Sequence, residues 1–257
     1  EYLNNPIDMD KFNTEGIYGD KGFNNCFIKE SGKHLKYKYR TPVRDKYGEF
    51  LSYKNVGKYA PKIKMLLDYI INAEGIIMIY SRFLRGTLYP IAMALEHIGF
   101  TKYGGIKILE TGTIDKKMPK GENEYIFITG DSEDSEKEIN ISTRDDNKNG
   151  EIIKVILMSD SGATGVNYKN IREIHIFEPW YNLNKIEQII GRGVRNNSHD
   201  VLDKRMRNTT IYHYVNMIDG EKDGGEKASH EKSDHHKKDR LDKVRDIVDK
   251  TVRLAGI

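Results

Sequence analysis

VILMSDSGATGVNYKN, running from Val155 to Asn170, and EIHIFEPWYNLNKIEQ, from Glu173 to Gln188, set out in order a strand, a glycine loop, a second strand, an aromatic turn and a helix. Val155 to Met158 is a short apolar run of the kind buried on both faces of a parallel sheet, and it ends in a Ser-Asp-Ser-Gly loop. Ligands collect at such strand ends in open α/β sheets. The helix carries QIIGRGVR, Gln188 to Arg195. On a helix starting near Leu183, Gln188, Arg192 and Arg195 are four and three residues apart and project from one face, which Gly191 and Gly193 leave uncrowded. A fixed guanidinium suits the charge that develops on a transferring γ-phosphoryl group, and an arginine so placed is worth roughly a thousandfold or more in rate. The plainer reading is an amphipathic surface helix with solvated arginines, although each glycine costs such a helix about 1 kcal/mol relative to alanine.

The alternation continues on both sides. Tyr59 to Asn72 is predicted as a helix, with Pro61 in its first turn and Ile63, Leu66, Leu67, Ile70 and Ile71 on its apolar face. GIIMIY, Gly75 to Tyr80, reads as a buried strand, and Leu88 to Ile98 as a helix that Gly99 ends. EYIFITG, Glu124 to Gly130, is a further strand, separated by a polar stretch from Asp131 to Gly150 from the strand that begins at Ile153. The strand Glu173 to Phe177, the helix and a last strand, Thr209 to Val215, complete the pattern. Strands alternating with helices imply an α/β fold, an open parallel sheet with helices on both faces and right-handed crossovers. There is no internal repeat.

The sequence divides at residues 1–57, 58–218, 219–240 and 241–257. The first segment is rich in Tyr, Asn, Lys and Gly with little helical periodicity, and reads as an irregular, β-containing extension with a hairpin or two. Within it HLKYKYRT alternates, with Leu35, Tyr37 and Tyr39 on one side and Lys36, Lys38 and Arg40 on the other. Basic residues beside aromatics suit a nucleic-acid backbone and its bases. The alternative is an edge strand with its tyrosines packed inward. Residues 219–240 are charged and nearly devoid of apolar side chains, a flexible loop or linker. His230, His235 and His236 fall there without rigid support, so no metal site is expected. Residues 241–257 regain helical spacing through Val244, Ile247, Val248 and Thr251.

With 257 residues, 37% of them hydrophobic, the chain can bury one sizeable core and a smaller appendage. Its 42 basic residues nearly cancel 39 acidic ones, so net charge alone does not argue for a nucleic-acid partner. The single cysteine, Cys26, excludes an intrachain disulfide and a multi-cysteine zinc site, which makes a reducing compartment the default. No apolar run has the length of a membrane span and no signal peptide is visible, so no membrane partner is expected. The chain starts at Glu1 rather than methionine and is expected to be a piece of a longer protein. No GxxxxGK[ST] loop and no acidic metal-binding box are present. ESGKHLK, Glu30 to Lys36, comes nearest to a phosphate loop, but lacks the first glycine and the closing hydroxyl.

SGATGVN, Ser161 to Asn167, and QIIGRGVR resemble motifs V and VI of the second RecA-like domain of superfamily 2 helicases and translocases, with GIIMIY in the place of motif IV. HIFEPWYNLNKIEQIIGRGVR, with NTTIYHYV after it, is similar to the nucleoside triphosphatases of large cytoplasmic DNA viruses. These include poxvirus-type early transcription factor small subunits and their mimivirus-like and asfarvirus-like relatives. PWYN also resembles Snf2-type translocases, which makes duplex DNA a plausible track. The resemblance covers about Tyr59 to Met217.

In such enzymes the first RecA-like domain holds ATP and Mg2+, and the second supplies an arginine finger across a cleft. The resemblance therefore implies a second motor domain of a nucleic-acid-dependent ATPase, inactive by itself and dependent on an N-terminal RecA-like ATP-binding domain. Arg195 becomes the candidate finger, Arg192 a second γ-phosphate contact, and Gln188 a hydrogen-bonding group near the phosphates or the attacking water. Gly165 and Asn167 fall where the family places residues near the nucleotide. Ser161, Gly162 and Thr164 become candidates for nucleic-acid phosphate contact, with Ser81 and Arg82 as weaker ones; ordinary loop capping is the alternative for each. Trp180 and Tyr181 read as buried anchors of the helix rather than a stacking platform. The implied partners are DNA, with RNA as the other track, and a viral RNA polymerase or second transcription-factor subunit. The implied location is the cytoplasmic viral factory, with the virion as a second place. A rival from another class is a non-catalytic RecA-like module that binds nucleic acid or polymerase. A nuclease subunit would need a carboxylate cluster that is not found.

Overall fold

Strands with apolar residues at every position need cover on both faces, and the sheet provides it. The computed structural model describes residues 19–32, 34–110, 112–116, 118, 123–129, 135–160, 167–178 and 183–214. Among them, β3 (Ile76–Tyr80) and β6 (Ile153–Met158) lie side by side at the centre of a six-stranded sheet. β4 (Thr101–Lys102) and β5 (Glu124–Ile128) extend it beyond β6, and β7 (Ile171–Ile176) and β8 (Thr210–His213) beyond β3, giving the order β4-β5-β6-β3-β7-β8. Every pairing is parallel. The fold is thus the predicted open parallel sheet.

Alternation within each strand divides the core in two. Ile77 and Ile79 of β3, with Val155 and Leu157 of β6, meet α4 (Pro61–Asn72) and α5 (Tyr89–His97) on one face. Ile76, Met78 and Tyr80, with Ile156 and Met158, meet α7 (Leu183–Gly193) on the other, where α6 (Ser135–Ser142) also packs through Ile139 and Ile141. Helices therefore cover both faces, as the alternation predicts. Pro61 does open α4, and Ile63, Leu66, Leu67 and Ile70 are buried as expected. The predicted start at Tyr59 is displaced because Ala60 leaves helical geometry, splitting off a short α3 (Val56–Tyr59).

The polar stretch from Asp131 to Gly150 separates β5 from β6 as expected, and among its described residues it holds α6, anchored by buried Glu138, and a 3₁₀ turn at Asp145–Asn147. Two further expectations are corrected. A π-turn, Leu84–Leu88, leads into α5, where the sequence reading has the helix start at Leu88. The described part of the amino-terminal segment holds the expected hairpin, a small antiparallel pair of β1 (Phe27–Lys29) and β2 (Tyr37–Tyr39), but flanks it with two helices that were not expected, α1 (Gly19–Cys26) and α2 (Thr41–Tyr47). It is no loose extension. Phe23, Phe27, Tyr37, Tyr39 and Val43 join the same core as α4 and α5.

That packing also decides the HLKYKYRT alternation. Tyr37 and Tyr39 are each 4% exposed, so the tyrosines point inward and offer no ring for stacking on bases. Tyr37 bonds in addition to the 108–110 segment, its N–H donating to Ile108 O at 2.7 Å and its carbonyl accepting from Glu110 N–H at 2.8 Å. The segment is fastened by buried polar groups. His97 Nδ1 lies 2.8 Å from the Thr113 carbonyl and Nε2 3.3 Å from the Tyr39 hydroxyl. Glu96 accepts from Ile108 N–H, Leu109 N–H and the Tyr125 hydroxyl at 2.7, 2.8 and 2.7 Å. Burial pushes the Glu96 carboxyl up to about 7 despite those donors.

Candidate functional site

β3 and β7 are neighbours, yet the chain leaves β3 for α5 on one face and β7 for α7 on the other. A crevice at the carboxyl ends of strands that part in this way is where open α/β sheets bind ligands.

After β3, Ser81 is fully buried, and its hydroxyl accepts from the Phe83 N–H at 3.1 Å, a capping role that presents no oxygen to solvent. Arg82 lies over the Phe83 ring, 4.5 Å from its centroid. After β6 comes Asp160, whose Oδ2 is 2.6 Å from Lys185 Nζ in the first turn of α7 and whose Oδ1 accepts from the Tyr80 hydroxyl. After β7 comes Glu178, which accepts from Thr87 Oγ1 at 2.8 Å. Lys62, at the start of α4, donates to the Phe177 carbonyl at 2.7 Å and lies over the Phe177 ring. Burial lowers the Lys62 pKa, and the nearby Glu178 charge opposes the shift.

α7 is two-sided. Ile186, Ile189, Ile190 and Gly193 are buried against the sheet, while Gln188 is exposed and Arg192 half-buried on the other side. The glycines differ in what they do. A Cβ on Gly191 would meet open space, as the sequence predicts for an uncrowded face. A Cβ on Gly193 would lie 3.0 Å from Ile174 Cδ1 and 3.4 Å from Ile171 Cβ, so this glycine serves close helix-to-sheet packing, which corrects the role expected for it.

The expected single helical face for Gln188, Arg192 and Arg195 is corrected at its end. α7 stops at Gly193, and Arg195 lies beyond it, exposed, with Nε donating to Gly191 O at 3.1 Å. Its backbone N–H donates to Ser198 Oγ at 3.3 Å, and Ser198 N–H returns to Arg195 O at 3.1 Å. The guanidinium therefore sits at the carboxyl end of the helix, where the macrodipole favours a cation, and no carboxylate pairs with it among the described residues. The Arg192 carbonyl accepts from Tyr168 N–H at 3.2 Å, tying this end of α7 to the segment that enters β7. On that segment Asn167 is exposed, whereas Tyr168 and Asn170 are each 1% exposed. The Tyr168 hydroxyl and both amide atoms of Asn170 form no hydrogen bond among the described residues.

Ser161, Gly162, Thr164 and Gly165 lie outside the described residues, as do Trp180, Tyr181, His230, His235, His236 and all of 219–240 and 241–257. Among the described residues there is no cluster of three metal-ligating side chains, and no helix is long and apolar enough to cross a membrane. The residues that sequence reasoning missed, Asp160, Lys185, Thr87 and Glu178, meet only through the sheet. A charged residue directly after an apolar strand run, as Asp160 is after VILMS, is the signal that could have found one of them.

The profile of the family described as "Helicase conserved C-terminal domain" matches residues 61–197. The chain is 31% identical over 170 residues to "Putative ATP-dependent RNA helicase L538" of Acanthamoeba polyphaga mimivirus, a match covering 65% of this chain and 32% of that protein. It is 30% identical over 181 residues to a "Termination factor NPH-I homolog" of African swine fever virus, covering 61% of this chain and 26% of that protein. The chain thus spans a third or less of these relatives. Among solved structures, the C-terminal part of the Fun30 ATPase domain aligns with a TM-score of 0.41 at 15% identity, over 62% of this chain and 42% of that one.

Proposed function

This chain belongs to the family of helicase conserved C-terminal domains, within the superfamily 2 helicases and translocases, and from that premise we propose that it works as the second motor domain of an ATPase driven by nucleic acid. The observation that carries the reading is the outer side of α7, where Gln188, Arg192 and, just past the helix, Arg195 face away from a core that fixes the helix through Ile186, Ile189 and Ile190. ATP with Mg2+, bound mainly by a first RecA-like domain, supplies the phosphoryl group to be transferred. Arg195 then stabilises the charge that grows on the γ-phosphoryl oxygens, with Arg192 as a second cation and Gln188 as a hydrogen-bonding group toward the phosphates or the attacking water. In this reading Gly165 and Asn167 are assigned to the nucleotide, and Ser161, Gly162 and Thr164 to nucleic-acid phosphates, which they would hold without reading bases; Arg82 is assigned the same strand contact. Ser81 contributes through the turn it caps, since its hydroxyl is engaged with Phe83.

Movement of this domain toward and away from the nucleotide would step it along its track. We take duplex DNA as that track and RNA as the competitor. The names of the viral relatives, a termination factor homolog among them, support a role in viral transcription, which in this reading takes place in the host cytoplasm beside an RNA polymerase or a second factor.

The test is ATP hydrolysis by the full-length native protein, with and without duplex DNA or RNA, for wild type and Arg195→Ala. Hydrolysis stimulated by DNA that falls roughly a thousandfold in the variant, with ATP binding intact, is the expected result. Equal, measurable rates in both proteins would remove the finger role from Arg195, and no hydrolysis in either would leave a RecA-like binding module instead.

A further inference from the structure

We propose that Asp160 is a positioning residue that couples residues 161–166, assigned above to the nucleic acid, to the helix that leads to the arginines. This rests on the motor reading above. Asp160 stands where β6 ends and immediately precedes residues 161–166 in the chain. One carboxylate oxygen pairs with Lys185 Nζ at 2.6 Å, and the other accepts from the Tyr80 hydroxyl at the end of β3. Tyr80 is 2% exposed, so its phenol is a fixed post. Three places distant in sequence, the end of β3, the residue after β6 and the start of α7, are thereby joined on one carboxylate.

The placement of Lys185 shows that the link does more than decorate a helix. A cation in the first turn of a helix faces the positive end of the macrodipole, and α7 has no acidic residue of its own in that turn. Lys185 is thus unfavourably placed for α7 alone, and Asp160 offsets it from the sheet. The carboxylate also supplies the negative charge that the helix start lacks. A rotation or translation of α7 against the sheet must stretch this pair, and the pull reaches the residue next to the loop. Both partners are about one-third exposed, at 37% for Asp160 and 34% for Lys185, so the link is weak enough to break and re-form and is screened by salt.

The experiment uses the full-length native protein with duplex DNA as the probe, comparing Asp160→Asn, Lys185→Met, the double variant and Arg144→Met. The last breaks an exposed ion pair, Arg144 with Asp146, that precedes the amino end of β6, the far end of that strand from Asp160. Coupling predicts that the ratio of DNA-stimulated to basal kcat falls about tenfold in Asp160→Asn and in Lys185→Met, and no further in the double variant, because contacting partners are non-additive. The KM for ATP and the thermal midpoint stay near wild type, and Arg144→Met behaves as wild type. A wild-type ratio in both single variants, or losses that multiply in the double variant, would overturn the proposal. If Asp160→Asn fails to fold, Lys185→Met carries the test alone. A wild-type protein that hydrolyses no ATP refutes the motor reading instead, so the two failures are told apart.

Discussion

On the face covered by α4, α5 and the amino-terminal helices, buried polar side chains meet partners. Glu96 accepts three hydrogen bonds, and His97 spans Tyr39 and the Thr113 carbonyl. On the α7 face the core is mostly isoleucine, and beside it the Tyr168 hydroxyl and the Asn170 amide are buried without a bond among the described residues. Leaving such a group unpaired costs about 1–3 kcal/mol. The first face therefore behaves as a closed framework, and the second as the softer side, the one that carries Gln188, Arg192 and Arg195. Elements that move in function are drawn from the low-stability end of a structure.

The sharpest way to break this contrast is at its functional end. Arg195→Ala should reduce turnover of the full-length protein roughly a thousandfold while leaving its unfolding free energy in urea within about 0.5 kcal/mol of wild type, since the side chain is exposed. A large stability loss would mean that Arg195 belongs to the framework. At the framework end, Glu96→Ala removes one acceptor from three buried donors and should destabilise by about 3 kcal/mol or more in urea unfolding. A loss below about 1 kcal/mol would erase the distinction between the faces.

Acidity sharpens it further. Glu96 holds its proton up to about 7 in the fold, against 4.5 ordinarily, so between those values the folded chain binds the extra proton. Its contribution is complete below the lower value and is lost as pH rises through the upper one. Unfolding measured at pH 5 and pH 8 should show wild type losing up to about 3 kcal/mol relative to Glu96→Gln. Parallel curves for the two proteins would remove this group from the account. The smallest effects separate two glycines on one helix. Gly193→Ala should cost about 1–3 kcal/mol through contact with Ile174 and Ile171. Gly191→Ala, with nothing in reach, should stabilise by up to about 1 kcal/mol.

The central strands were legible because burial on two faces writes itself as unbroken apolar runs, as in IIMIY and IKVILM. α4 and α7 were legible through their periodic isoleucines and leucines. What escaped lacks local signal. α1, GDKGFNNC, is built from poor helix formers and is held by Phe23 and Cys26 packing into the core. α6 is short and polar, and β4 is two residues long. At the site, residue types were readable where helical spacing lasted, up to Arg192. The position of Arg195 past the helix end was not, because a glycine at 193 reads equally as helix or cap. The meeting of Asp160 with Lys185, separated by 25 positions, follows from strand order and left no trace in spacing.

The all-parallel sheet also fixes a schedule for synthesis. β3 is the central strand, yet both of its neighbours, β6 and β7, emerge from the ribosome only after residue 152. At ribosomal rates Ile76–Tyr80 waits on the order of ten seconds with both edges unpaired and five apolar side chains uncovered on at least one side. No hairpin can cover it meanwhile, since every partner in this sheet is parallel and distant. Nascent chains of this domain should therefore depend on holding chaperones until α7 has been made.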